Sequence, residues 1–268
     1  MSVQNNKRCQ FNAFQIKMFM AMLMVLDHLP YIPGLVPPLL VSIFHAVTRC
    51  VGVWFAFNAV EGFLHTRSQI RYNLRLFGWA AFMAAGNGLM EVVLRSKDIH
   101  IDNNIFLTLA LGVLILNIIA DSKKWFVKNC LTRVLKVLLA ICVFIVGLRF
   151  AEGGDIVIPF MLITYVFRKS PKKRNLGYII YALILATFSI SGVFSYDDPM
   201  IVLDMILYNS DWLFITVLPF MYLYNGERGK NNKFTKYFFY VFYPAHLLHI
   251  PQELRIRSRG TERHSASN

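Results

Sequence analysis

Carboxylates are scarce in this sequence: 15 Asp and Glu stand against 28 Lys and Arg, and charged residues make up only 16% of 268. A water-soluble globular domain carries more charge than that. Cysteine is sparse as well. Cys9, Cys50, Cys130 and Cys142 are scattered and form no CxxC, and two of them fall in apolar segments, which argues against a disulfide framework and a zinc site. No P-loop, dinucleotide fingerprint, HExxH or GxSxG occurs. Internal repeats and low-complexity linkers are missing too. Residues 1–268 therefore read as a single integral-membrane domain, with a polar tail from about residue 251.

What fills the chain instead is apolar, 56% of all residues. Runs of roughly 17 to 25 apolar residues match the hydrocarbon thickness of a bilayer, whereas a lipid-facing β-barrel would show short alternating segments. The expected architecture is all-α, a polytopic transmembrane helical bundle of about nine spans, with eight to ten allowed by the fuzziness of the boundaries. The spans fall near Phe14 to Tyr31, Leu39 to Leu64, Leu74 to Leu94, Ile105 to Ala120, Leu131 to Leu148, Ile156 to Phe167, Leu176 to Phe194, Ile201 to Tyr224 and Phe234 to Ile250. The sixth, after Gly153 and Gly154, is short enough to be a tilted or re-entrant piece.

A formal charge of +13 would suggest nucleic acid in a soluble protein. Here the cations gather in alternate connections, which is a topology signal, and no nucleic-acid partner is expected. Lys7 and Arg8, the group Arg67, Arg71 and Arg75, the stretch Lys123 to Arg133, the run Arg168 to Arg174, and Arg228 to Lys236 share one side of a nine-span arrangement, which should be cytoplasmic. The apolar run after Lys7 and Arg8 lacks a small-residue cleavage site and reads as a retained first helix. The tail, with Arg255, Arg257, Arg259 and Arg263, breaks the pattern by falling on the other side.

Ionisable groups at membrane depth are costly and point to function or to paired partners. Lys17 and His28 are eleven residues apart, which places them on nearly one helix face and roughly 16 Å apart along the axis. His28 is suited to proton transfer near neutral pH, with the charge of Asp27 beside it, although adjacent helical residues do not face each other. The plainer alternative is that Asp27 and His28 mark the interfacial end of the first helix before Pro30. His45 and Arg49, at the i, i+4 spacing, point into one interior cavity, where Asp27, Glu61 and Glu91 are candidate partners in a structural ion pair or a substrate clamp. If helical, Arg67, Arg71 and Arg75 form a stripe suited to phosphate oxygens, or to anchoring at lipid headgroups. Near the end, the turn Asn225-Gly226-Glu227-Arg228-Gly229 precedes an aromatic run in which Pro244 allows a kink. His246 and His249 there suit core packing or substrate hydrogen bonding better than a metal.

The blocks FNAFQIKMFMAMLMVLDHL, EGFLHTRSQIRYNLRLFGW, NIFLTLALGVL, YNGERG and KYFFYVFYPAHLLHI, in that order from about Phe11 to His249, resemble the TraX family of polytopic membrane proteins. The resemblance implies an N- or O-acetyltransferase of the bacterial inner membrane, multi-pass with its N-terminus cytoplasmic. Acetyl-CoA would be the acyl donor and no metal is expected. It also implies kinship with the broader integral-membrane acyltransferases, whose first helix carries a basic residue, ten residues and then His, as Lys17 and His28 do here. By that resemblance His28, with Asp27, is the candidate general base on the acceptor. Lys17, Arg67, Arg71 and Arg75 would bind the donor, and His45, Arg49 and His246 would support substrate or structure. The founding activity, acetylation of a pilin N-terminus in conjugation, leaves the acceptor open among a protein amine, a glycan and a lipid. The polar residues Pro251, Gln252 and Glu253 depart from the expected continuation of the last helix. A transporter or flippase, or a non-catalytic pilus or secretion assembly factor, remains the alternative.

Overall fold

A computed structural model describes residues 10–31, 35–94, 104–124, 130–191, 193, 198–229, 238–239 and 241–242. Among these the chain is helical apart from turns and one isolated bridge. The helices are α1 Ala13–His28, α2 Pro38–His65, α3 Gln69–Leu94, α4 Ile105–Lys124, α5 Cys130–Phe150, α6 Gly154–Val166, α7 Pro171–Ile190, α8 Pro199–Tyr208 and α9 Val217–Leu223. The starts follow from local chemistry. Asn12 and Gln15 close a capping box on α1, and proline occupies the first turn of α2, α7 and α8, where its missing N–H costs nothing.

α2 is the central post, packing against α1, α3, α4, α6, α8 and α9. Trp54, Val60 and Phe63 on it are wholly buried, together with Phe160 of α6 and Tyr178 of α7, whose rings stack at 4.4 Å. Tyr178 also shares a 2.7 Å hydrogen bond with Thr164. In lipid such packing and interhelical hydrogen bonding, rather than expulsion of water, hold helices together. α5 stands at the periphery, exposing Leu135, Leu138, Ile141 and Ile145, as a lipid-facing helix does. It meets α6 where Gly154 lies against the backbone carbonyl of Gly147, an approach that a Cβ would block.

Among the described residues, the span count agrees only roughly with the nine expected. Two described helices, Leu39–His65 and Leu131–Phe150, are long and apolar enough to cross a membrane alone, and a third counts if a bent pair is one span. That pair is the expected eighth span. It breaks after Tyr208 at Asn209 and Ser210 and resumes as a 3-10 turn, Asp211–Thr216, leading into α9, with a bend of 56°. The Asn209 N–H closes the last turn of α8 on the Met205 carbonyl, and the helical hydrogen bonds stop there. α6 has 13 residues, about 20 Å of helix, too short to cross the hydrocarbon core upright. The ninth expected span, Phe234 to Ile250, lies almost entirely outside the described residues, as do Cys9, His246, His249 and the tail.

The segment before α1 and the turn after α9 are tied together. Phe11 pairs with Tyr224, Phe11 N donates to the Leu223 carbonyl at 2.8 Å, and Ala13 N donates to the Glu227 carbonyl at 2.8 Å. These bonds put the start of α1 and residues 225–229 at one end of the bundle. Tyr222 accepts from Asn175 at 2.6 Å, and Phe63 meets Tyr165 at 5.9 Å, so the α2–α3 and α6–α7 turns share that end. We call it the basic end. Gly229 has φ of 83°, and a Cβ there would come 2.6 Å from the Asn12 side chain. Gly229→Ala should therefore destabilise by about 1–2 kcal/mol from the left-handed backbone alone. Thermal unfolding of the detergent-solubilised protein checks this, and an unchanged midpoint would mean that the clamp on α1 contributes nothing.

Candidate functional site

α1 carries its two singular residues at opposite ends of one face. Lys17 lies one turn in from the basic end, its ammonium 5.9 Å from the centre of the Phe239 ring, and Phe239 in turn packs on Phe14 of α1 and Phe55 of α2. An ammonium over an aromatic face keeps a favourable electrostatic contact within an apolar setting. His28 closes the helix at the far end and is 6% exposed. The imidazole is thus packed against protein at the end of α1.

Next to His28 a polar network joins three elements. Arg49 of α2 lies 3.6 Å from Asp27 of α1 and 3.1 Å from Asp211 in the broken span. Asp27 also accepts from the Thr48 hydroxyl at 2.6 Å. Arg49 Nε donates to the His45 carbonyl at 3.0 Å, and its Nη2 is 3.0 Å from His45 Nδ1. A guanidinium only donates, so Nδ1 accepts and the His45 proton resides on Nε2. The His45 ring stacks on Tyr208, the last residue of α8, at 5.7 Å. One turn nearer the start of α2, the Ser42 hydroxyl donates to Asp204 of α8. Asp155, at the start of α6, adds a further carboxyl group in the field of Asp211 and Arg49. Two carboxylates on one guanidinium satisfy it from both sides, which fits a group at membrane depth.

The expectation for His45 and Arg49 was a shared interior cavity with Asp27, Glu61 or Glu91 as partner. Asp27 is such a partner. Glu61 instead pairs with the exposed His65 on its own helix at 3.7 Å, and Glu91 lies on an exposed part of α3. Asp27 faces Arg49 and Thr48, so its carboxylate is already engaged across the bundle. Sequence reasoning missed Asp211, Asp204, Thr48 and Ser42. A signal existed for Asp211, since an acidic residue inside the expected span Ile201 to Tyr224 is as conspicuous as Asp27.

At the basic end the expected three-arginine stripe is reduced. The helix starts at Gln69, so Arg67 sits in the preceding bend, and only Arg71 and Arg75 share a helical face. Thr66 is extended, and the Ser68 hydroxyl accepts from Arg71 N at 3.4 Å, which starts α3 too late to include Arg67. All three arginines are exposed, and Arg75 lies 5.5 Å from the centre of the Tyr72 ring.

Long apolar helices, a lipid-facing α5, a broken span and a partly buried ionic network define a helical integral-membrane protein. The chain belongs to the TraX protein family, whose profile matches residues 13–251. It is also 25% identical over 249 residues to the probable fimbrial assembly protein FimC, serogroup H1, of Dichelobacter nodosus, across 90% of this chain and 95% of that protein. No solved structure matches.

Proposed function

We propose that the protein is a pilus-related, acetyl-CoA-dependent acyltransferase of the bacterial inner membrane, with its basic end and N-terminus cytoplasmic. It would move an acetyl group to an amine or hydroxyl of a pilin N-terminus, a glycan or a lipid. The observation that carries this reading is the placement of Lys17 and the buried His28 on one face of α1, at opposite ends of the helix. Lys17, with Arg67, Arg71 and Arg75, holds the donor at the basic end, and a flexible donor arm spans the roughly 16 Å to His28. There His28 takes a proton from the acceptor, whose nitrogen or oxygen attacks the thioester carbonyl. The carbon–sulfur bond breaks, the thiolate leaves, and the proton returns to it from His28. Arg49, held by Asp27 and Asp211, fixes the end of α1 against α2 and the broken span, with His45 as part of the same support. His246 keeps its expected role of supporting substrate or structure.

The test incubates membranes containing wild-type protein or His28→Ala with radiolabelled acetyl-CoA, then separates proteins, glycans and lipids. Label that depends on His28 supports the reading and identifies the acceptor by its fraction; absence of label from acceptor-rich native membranes holding intact protein rejects it. For the donor, Arg71→Ala should raise the KM for acetyl-CoA by about tenfold, as loss of a charge-assisted contact of about 1.5 kcal/mol does, with kcat unchanged. An unchanged KM would make Arg71 a lipid anchor.

The name of the Dichelobacter nodosus relative favours a second reading, a non-catalytic assembly factor that holds pilus subunits in the membrane. It requires that pilus assembly survive replacement of Lys17 and His28 and fail when lipid-exposed aromatic residues such as Phe188 are changed.

A further inference from the structure

The turn from α6 to α7 holds five cations, Arg168, Lys169, Lys172, Lys173 and Arg174. At the end of a membrane helix such side chains ordinarily reach outward to the headgroups. Two of them turn inward instead. Arg168 folds back so that Nη1 donates to the Tyr165 carbonyl at 2.7 Å, with its guanidinium 4.4 Å from the centre of the Tyr165 ring. Arg174 lies 5.9 Å from the centre of the Phe57 ring on α2, and its buried Nε has no hydrogen-bond partner among the described residues.

Arg168, Lys169, Ser170 and Lys173 line a cavity of about 320 Å³ whose other walls are Val166 and Phe167, with no carboxylate in the lining. The Ser170 hydroxyl makes no capping bond to α7. Arg168 of the lining stacks on Tyr165, which meets Phe63 near the end of α2, and Arg67 follows four residues later in the sequence. Arg174 and the Lys17–Phe239 pair both grip the same turn of α2, at Phe57 and Phe55.

We propose that this cavity binds the phosphate groups of a soluble ligand, which under the acetyl-CoA reading above is the donor itself. Arg168 and Lys173 face the phosphate oxygens, Ser170 donates a hydroxyl hydrogen bond, and Arg174 lies on the inner side towards α2. A nucleotide thioester carries a phosphate monoester and a diphosphate, more negative charge than the exposed Arg71 and Arg75 neutralise. The cations of the α6–α7 turn supply the rest. Because Arg168 is held on Tyr165 before any ligand arrives, little side-chain freedom is lost on binding.

The test measures binding of coenzyme A, pantetheine and inorganic pyrophosphate to the full chain in neutral phosphatidylcholine nanodiscs. In Arg168→Ala and in the surface variant Lys173→Ala, coenzyme A should bind about tenfold or more weakly, the effect of losing one charge-assisted hydrogen bond, while pantetheine, which lacks phosphate, is unaffected. If wild-type protein binds pyrophosphate but not coenzyme A, and both variants lose that binding, the phosphate site stands and the acetyl-CoA reading falls. Unchanged affinities in both variants overturn the site. So does a loss confined to co-purifying phosphatidylglycerol, which would make the turn a lipid anchor.

Discussion

Membranes carrying His28→Ala should transfer about a hundred to ten thousand times less acetyl label than wild type, the contribution of a positioned general base. The loss should appear in kcat, since the donor is held some three helical turns away around Lys17. The structure makes this a demanding test of chemistry rather than of folding. His28 ends α1, where Leu29 as cap already donates its N–H to the Val25 carbonyl, so truncating the imidazole leaves the helix terminus satisfied. His28→Gln, similar in volume and without the basic imidazole, should be as inactive as His28→Ala, with an unchanged unfolding midpoint. Near-wild-type transfer by either variant would remove His28 from the reaction and favour the assembly reading.

The second large effect is expected at Arg49. Removing its guanidinium leaves Asp27 and Asp211 facing each other at membrane depth without a cation. Breaking a fully buried ion pair in this way typically costs about 3–5 kcal/mol, and this network is only partly buried. The side chain of Asp211 is 40% exposed against 28% for Asp27, so the lower end of that range is the expectation for Arg49→Ala. A double-mutant cycle separates the pair from simple loss of packing. Asp211→Asn combined with Arg49→Gln should be less destabilised than the sum of the single variants, because no orphaned charge remains on that side. Strict additivity would show that the 3.1 Å contact carries no coupling. Loss of the network should also loosen the 56° break, since Asp211 follows it directly and Arg49 is its anchor on α2.

That anchoring clarifies what a broken span does here. A discontinuous helix with polar groups near its break is also a feature of transporters, where the exposed backbone lines a solute path. In this chain Ser210 at the break is fully buried, and Asp211 is tied to an arginine that also holds α1. The break is thereby joined to the helix bearing His28, which suits a support for that residue.

Much of this was legible from local pattern. Apolar runs of membrane length gave an all-α bundle and located the first seven helices to within a few residues, because helix formation in an apolar chain depends on nearby sequence, on caps such as Asn12 and on first-turn prolines such as Pro171. The eleven-residue interval put Lys17 and His28 on one face of α1, since helical geometry alone decides that. The i, i+4 interval likewise brought His45 and Arg49 together. What only the tertiary structure decided was which groups meet across the bundle. Arg49 and Ser42 find Asp211 and Asp204 each 162 residues away, and no local periodicity encodes a pairing at that distance. The break at Ser210, the burial of His28 and the inward turn of Arg168 and Arg174 belong to the same class. Each is fixed by how helices pack, and packing is settled by shape and charge between segments that the chain itself holds far apart.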